Sequence, residues 1–322
     1  MSLIHPPHSN RAIDKPEANY EISFSEIKRS ANPFSLGKRI VRKLKRLPKD
    51  ILTKLPIVSD FYRYYWCFPR DVTTCRGVYK TFSEAIRALP SDSRISHNQS
   101  DIHECSAVSE LVSRTLGRLE PFDYPLIPWL KLAFTDSSTV FDFGGNVGVS
   151  YYAFQKHLTY PENLRWVVCE LSEIVKAGEK IAEETKSLNL SFTTEFANVD
   201  GVDILLTCGT LSYVEPSLAE LLKPLKAKPR HLLINYIPCY EGKTFITLQN
   251  IGYAFSPYKI QKRTELLASL ASLGYDLIDS WKDGRTCSIP FHPDRFVRAY
   301  HGFYLRLNSN DCNTSIYSEK QI

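Results

Sequence analysis

Val140-Phe141-Asp142-Phe143-Gly144-Gly145-Asn146-Val147-Gly148-Val149-Ser150 is the stretch whose reading decides the fold. An apolar run enters a glycine-rich turn that opens a helix. Such a turn lets backbone approach a ligand closely and aims free N–H groups at it. A carboxylate beside it, Asp142, suits the ammonium group of an amino-acid moiety better than a pyrophosphate. About twenty residues further on, a second apolar run ends at Val167-Val168-Cys169-Glu170, where an acidic side chain can accept hydrogen bonds from both ribose hydroxyls. The implied ligand carries a ribose and a cationic group. A dinucleotide fingerprint wants glycine at the position of Asn146 and normally opens its domain, so NAD is the runner-up cofactor.

Outward from this stretch the pattern stays regular. Strands are expected at residues 140–143, 164–170, 190–196, 202–208, 231–237 (ending at Pro238), 275–281 and 302–307. Helices are expected at 151–157, 174–188, 218–225 and 262–273, the last closed by Gly274. Short apolar runs alternating with helices predict an α/β fold with a doubly wound, mostly parallel, seven-stranded sheet. Upstream, 125–134, 105–119 and 81–89 read as helices, the last capped by Thr81 or Ser83, and 90–101 as loop. Residues 61–68 are dense in aromatics. The resulting division is a basic, partly disordered tail with an amphipathic helix (1–70), a helical accessory or cap region (71–137), the main domain (138–308) and a flexible C-terminal tail (309–322).

Asp142-Phe143-Gly144-Gly145-Asn146-Val147-Gly148 resembles motif I of class I methyltransferases, with Glu170 in the acidic position of motif II. More narrowly, the chain is similar to a methyltransferase family of bacterial O-antigen and exopolysaccharide gene clusters. The matching words are Phe141 to Gly145 with Ser150-Tyr151-Tyr152, Trp166 to Glu170, Asp203 to Leu206, Gly209 to Val214 and Thr247 to Asn250; Tyr79 to Ala88 and Phe122 to Pro125 match less strongly. The resemblance covers roughly residues 72–307. It implies a Rossmann-like methyltransferase fold, S-adenosylmethionine as cofactor, and O-methylation of a sugar or surface-polysaccharide precursor. The cofactor residues are then Asp142, Gly144, Gly145, Asn146, Gly148, Glu170, Leu171, Gly209 and Thr210. Ser212, Tyr213, Tyr236, Gln249 and Asn250 are the acceptor-side candidates, Gln249 and Asn250 being expected in a loop. The ending Asn235-Tyr236-Ile237-Pro238 departs from the acidic or arginine-bearing ending expected there.

Methyl transfer from a sulfonium needs positioning more than covalent help, and a base only where the acceptor must lose a proton. The weak catalytic candidates are Tyr213, His292 and His301, with structural roles as the competing reading; Glu215 reads equally well as an exposed helix-start carboxylate. The alternative of an NAD-linked sugar dehydrogenase or epimerase lacks a convincing Tyr-x-x-x-Lys pair, since Tyr275 and Tyr304 have no lysine four residues on. A cofactor-binding scaffold without catalysis is the third reading.

Of the 322 residues, 43% are hydrophobic, enough for one core and an appendage. The net charge of +5 is uneven: residues 1–70 hold 14 Lys/Arg against 6 Asp/Glu, and the rest holds 26 against 29. A mildly acidic main domain argues against a nucleic-acid partner, since phosphate backbones demand a basic track. Between the basic residues of 36–47, the apolar Leu36, Ile40, Val41, Leu44 and Leu47 share one helical face. This fits peripheral contact with an anionic membrane, or packing on the main domain. Eight scattered cysteines without CxxC spacing suggest reduced thiols and no metal. With no signal-peptide core and no apolar run of membrane-span length, the expected location is cytoplasmic, or peripheral at the inner membrane surface.

Overall fold

The computed structural model describes residues 56–71, 73–89, 119–251 and 254–308. Residues 1–55 of the expected front tail with the basic helix at 36–47, the expected C-terminal tail, the loop at 90–101 and nearly all of the helix at 105–119 lie outside the described residues, whereas 56–70, expected in the tail, form helix and turn. In chain order, α1 (Pro56–Tyr62) continues into a π-helical turn (Arg63–Cys67), β1 (Cys75–Tyr79) and α2 (Phe82–Arg87). Then come α3 (Leu126–Ala133), β2 (Thr139–Phe143), α4 (Val149–Phe154), β3 (Arg165–Cys169), α5 (Ser172–Glu184), β4 (Leu190–Thr193), β5 (Ile204–Cys208) and α6 (Leu218–Leu222). The chain goes on through β6 (His231–Tyr240), β7 (Phe245–Asn250), β8 (Phe255–Lys262), α7 (Arg263–Ala271), β9 (Tyr275–Asp283), β10 (Cys287–Ile289), β11 (His292–Val297) and β12 (Tyr300–Leu307).

Five parallel strands run β4-β3-β2-β5-β6. Counted from β2 this is the 3-2-1-4-5 order of a doubly wound sheet, whose direction of winding reverses between β2 and β5. Antiparallel β12 lies between β6 and β9 and completes the seven expected strands. Because successive residues of a strand face opposite sides, Val140, Leu206 and Leu233 pack with Trp166, α3 and α4, while Phe141, Leu205 and Leu232 pack with α6 and α7. Helices cover both faces, so the strands read as unbroken apolar runs rather than as alternation. Thr81 caps α2 as expected, its hydroxyl accepting from Glu84 N at 3.1 Å. Gly274, at φ +90°, follows α7.

Among the described residues the sheet has ten strands rather than the expected seven. β6 does not end at Pro238: it bulges at Tyr236, whose φ is +61°, and continues until Cys239 and Tyr240 pair in parallel with Gln261 and Lys262 of β8. β7 pairs antiparallel with β8, and β1 with β7. The stretch 71–137, expected to be helical, therefore contributes a strand. Gln249 and Asn250, expected in a loop, are the last residues of β7 and are buried. The β10–β11 hairpin packs against this extension through Cys75, Phe245, Tyr258, Ile260, Ile289 and Val297, a cluster that also takes in Tyr213 and Tyr236. α1 holds the hairpin from the other side, where Asp60 accepts from Phe291 N at 3.0 Å and Phe61 meets the Phe291 ring. These missed strands form a lobe beside the carboxyl ends of β5 and β6. No helix among the described residues is long and apolar enough to cross a membrane.

Candidate functional site

At the end of β2 the chain turns through three left-handed residues, Gly144 (φ +75°), Asn146 (φ +55°) and Gly148 (φ +89°). Asn146 tolerates this conformation because its short side chain bonds locally, Oδ1 accepting from Val147 N at 2.8 Å. The turn is closely packed: a Cβ at Gly144 would lie 1.9 Å from Thr210 Oγ1. Asp142 sits beneath Gly145, 1% exposed, and accepts from Trp166 Nε1 at 3.3 Å. It supports the turn from below rather than standing open beside it. Glu170, at the end of β3, accepts from Asn146 N at 3.2 Å and from Leu171 N at 3.0 Å. Residues 24 positions apart thus form one edge, with the apolar Leu171 exposed next to it.

β5 ends in Gly209, also left-handed at φ +78°, and a short 3-10 turn from Thr210 to Ser212. Gly209 N donates to Asn235 O, and Tyr236 Cδ1 lies 3.3 Å from where a Gly209 Cβ would be. Contacts therefore run without a break from Gly144 through Thr210 and Gly209 to Tyr236. A bulge re-aims a side chain, and this one turns Tyr236 onto Phe122 and Tyr300, with ring centroids at 4.5 and 4.8 Å. Tyr213 is half-buried against Tyr258, and its hydroxyl donates to Gln249 Oε1 at 2.5 Å. That contact favours the structural reading of both residues. Ser212 is fully buried, and Asn250 braces the N-terminal segment by donating to Phe68 O at 2.7 Å.

No protein-family model matches this chain, and no curated protein does. Among solved structures it is similar to the N-terminal domain of EvdMO1 with SAH bound, at 15% identity and a TM-score of 0.40, over 60% of this chain and 83% of that one. It is also similar to Burkholderia thailandensis 1,6-didemethyltoxoflavin-N1-methyltransferase with bound 1,6-didemethyltoxoflavin and S-adenosylhomocysteine, at 16% identity and a TM-score of 0.41, over 68% and 97%. The mitomycin 7-O-methyltransferase MmcR is similar at 13% identity and a TM-score of 0.38, over 71% and 61%. What these proteins bind is a property of theirs, and likeness this low does not transfer it.

Several residues of the site escaped sequence reasoning. Asp123 is 3% exposed and receives the Cys208 thiol at 3.9 Å, at the carboxyl end of β5. Asn235 donates to Phe122 O at 2.8 Å and accepts from Trp281 Nε1 at 3.0 Å, so the segment before α3 is stitched over the strand ends. Arg285 lies over Phe122 and Tyr236 and donates to the Tyr236 hydroxyl. Lys259, buried in β8, donates to the carbonyls of Val214, Glu215 and Pro216 at 2.7, 3.2 and 3.1 Å, and burial lowers its pKa to about 8. The Phe122 to Pro125 word was the one signal in the sequence for this layer. The histidines lie apart from the glycine turn. His301 is buried on the α7 face of β12, stacked on Phe303, with its pKa lowered by burial and by Arg263 and Lys282. His292 begins the hairpin strand β11.

Proposed function

We propose that this protein is an S-adenosylmethionine-dependent methyltransferase acting on a small polar acceptor, with a hydroxyl of a sugar or surface-polysaccharide precursor as the methylated group. The observation that carries the reading is the edge at the winding reversal between β2 and β5, where Glu170 joins the left-handed glycine turn. Open α/β sheets bind ligands at such a crevice. The residues fit the cofactor: Glu170 places a carboxylate, with about four acceptor positions, at the end of β3 beside the glycine turn, where it can take ribose hydroxyls. Leu171 offers apolar surface next to it, and the Gly144–Thr210 contact brings the turn against the end of β5. When bound, S-adenosylmethionine supplies a sulfonium-borne methyl group, displaced in line to leave a neutral thioether. The protein's part is to orient the acceptor beside the ends of β5 and β6 and to exclude water there. The basic segment at 36–47 belongs to the same reading as a peripheral membrane contact, on its charge pattern alone.

Calorimetric titration with S-adenosylmethionine, S-adenosylhomocysteine and NAD tests the proposal. Micromolar binding of the first two, weakened about tenfold or more in Glu170→Ala by loss of a charged hydrogen-bond acceptor, and no binding of NAD, is the expected result. Binding of NAD alone would overturn it.

A further inference from the structure

Arg285 lies in the connection between β9 and β10, and the proposed function gives it no task. Three residues, Phe122, Tyr236 and Asp283, hold it in place. Its guanidinium carbon is 5.1 Å from the Phe122 ring centroid and 4.8 Å from that of Tyr236. One terminal nitrogen donates to the Tyr236 hydroxyl. The carboxylate of Asp283 accepts Arg285 N at 2.9 Å and faces Nε at 3.8 Å, beyond hydrogen-bond distance. The side chain is nonetheless 49% exposed. A guanidinium has five N–H donors in a rigid fork, more than the Tyr236 hydroxyl engages. The rings beneath it form a floor of Phe122, Tyr236 and Tyr300. That floor is continuous, through Gly209 and Thr210, with the glycine turn.

A planar fork held still over aromatic rings matches an oxyanion bidentately. We infer that the acceptor carries an oxyanion, a carboxylate or a phosphate, which Arg285 grips from its place over Phe122 and Tyr236. The inference rests on the methyltransferase reading for the word acceptor, and on Arg285 and its ring floor for the anion.

The test is calorimetric titration of the full chain, saturated with S-adenosylhomocysteine, with three probes: glucose 1-phosphate, glucuronate and glucose. At least one anionic probe is expected to bind ten times more tightly than glucose, and the one that does identifies the oxyanion. Arg285→Met should reduce that affinity about tenfold or more, Arg285→Lys should keep part of it, and neither should alter S-adenosylhomocysteine binding. Equal affinity for all three probes, no measurable binding of either anion, or an Arg285→Met variant that binds like the parent would each overturn the inference. Failure of S-adenosylhomocysteine to bind, with Arg285-dependent anion affinity intact in its absence, would overturn the methyltransferase reading and leave the anion site standing.

Discussion

A Cβ added at Gly145 would sit 2.4 Å from the carboxyl carbon of Asp142, a group that is itself buried and bonded to Trp166. There is nowhere for the carboxylate to retreat, so Gly145→Ala should lower stability by about 1–3 kcal/mol, as overpacking does, and weaken S-adenosylhomocysteine binding. At Gly284, where nothing lies within 4 Å, the same substitution should be neutral or slightly stabilising. Urea denaturation of the two variants side by side decides the point, and equal midpoints would refute it. Asp142, the glycines and Glu170 were legible in the sequence because their geometry is local: strand end, turn, strand end. Tyr236 was legible only as a name. That its φ is +61° and that its ring leaves the strand to meet Phe122 depends on a bulge against β12, 64 residues further along the chain. Arg285, 49 residues from its hydroxyl partner, had no local signature at all.

Lys259 shows why β7 and β8 were missed as elements. Every residue of β7 is buried, which gives no alternation to read, and β8 carries Pro257, Lys259 and Gln261, which look like interruptions. In the folded protein Lys259 is a clamp whose ammonium holds three carbonyls of the segment following Tyr213. Replacing it with methionine keeps the length and leaves those carbonyls without their donor, each at a cost of roughly 1–3 kcal/mol if they stay dry. Lys259→Met should therefore speed amide hydrogen exchange in residues 210–216 about tenfold or more, with β2 and β3 unaffected. Unchanged exchange in that segment would show that the loop holds its shape without the lysine.

For the molecule as a whole, the buried thiols set an alkaline limit. Burial pushes Cys67 to about 11 and Cys169 and Cys239 to about 12, against 9.0 for an exposed thiol. These pKa values are raised in the folded state, so above pH 9 the unfolded chain loses protons that the folded one keeps. The stability these thiols contribute is fully present below pH 9 and is lost as pH rises through 11 to 12. Lys259 has the opposite sign, its folded pKa of about 8 lying below the usual 10.5, but it is one group against three. The urea midpoint should hold between pH 8 and 9 and fall from 9 to 10. In Cys239→Ala the fall should be shallower by about 1.4 kcal/mol per pH unit once one proton is removed from the balance. A midpoint that holds through pH 10 would contradict the burial of these thiols.

The sequence by itself determined the doubly wound body, because strand and helix periodicity, glycine turns and caps are set by residues within a few positions of one another. It also determined the edge between the glycine turn and Glu170, where two strand ends carry their own acidic and glycine residues. Only the tertiary structure decided that β6 passes through Pro238 into a second lobe, that β1 joins the sheet, and that Arg285, Phe122 and Tyr236 meet. Those contacts are made between segments far apart in the chain. Their residues are chosen by what lies across the gap, which no local pattern records.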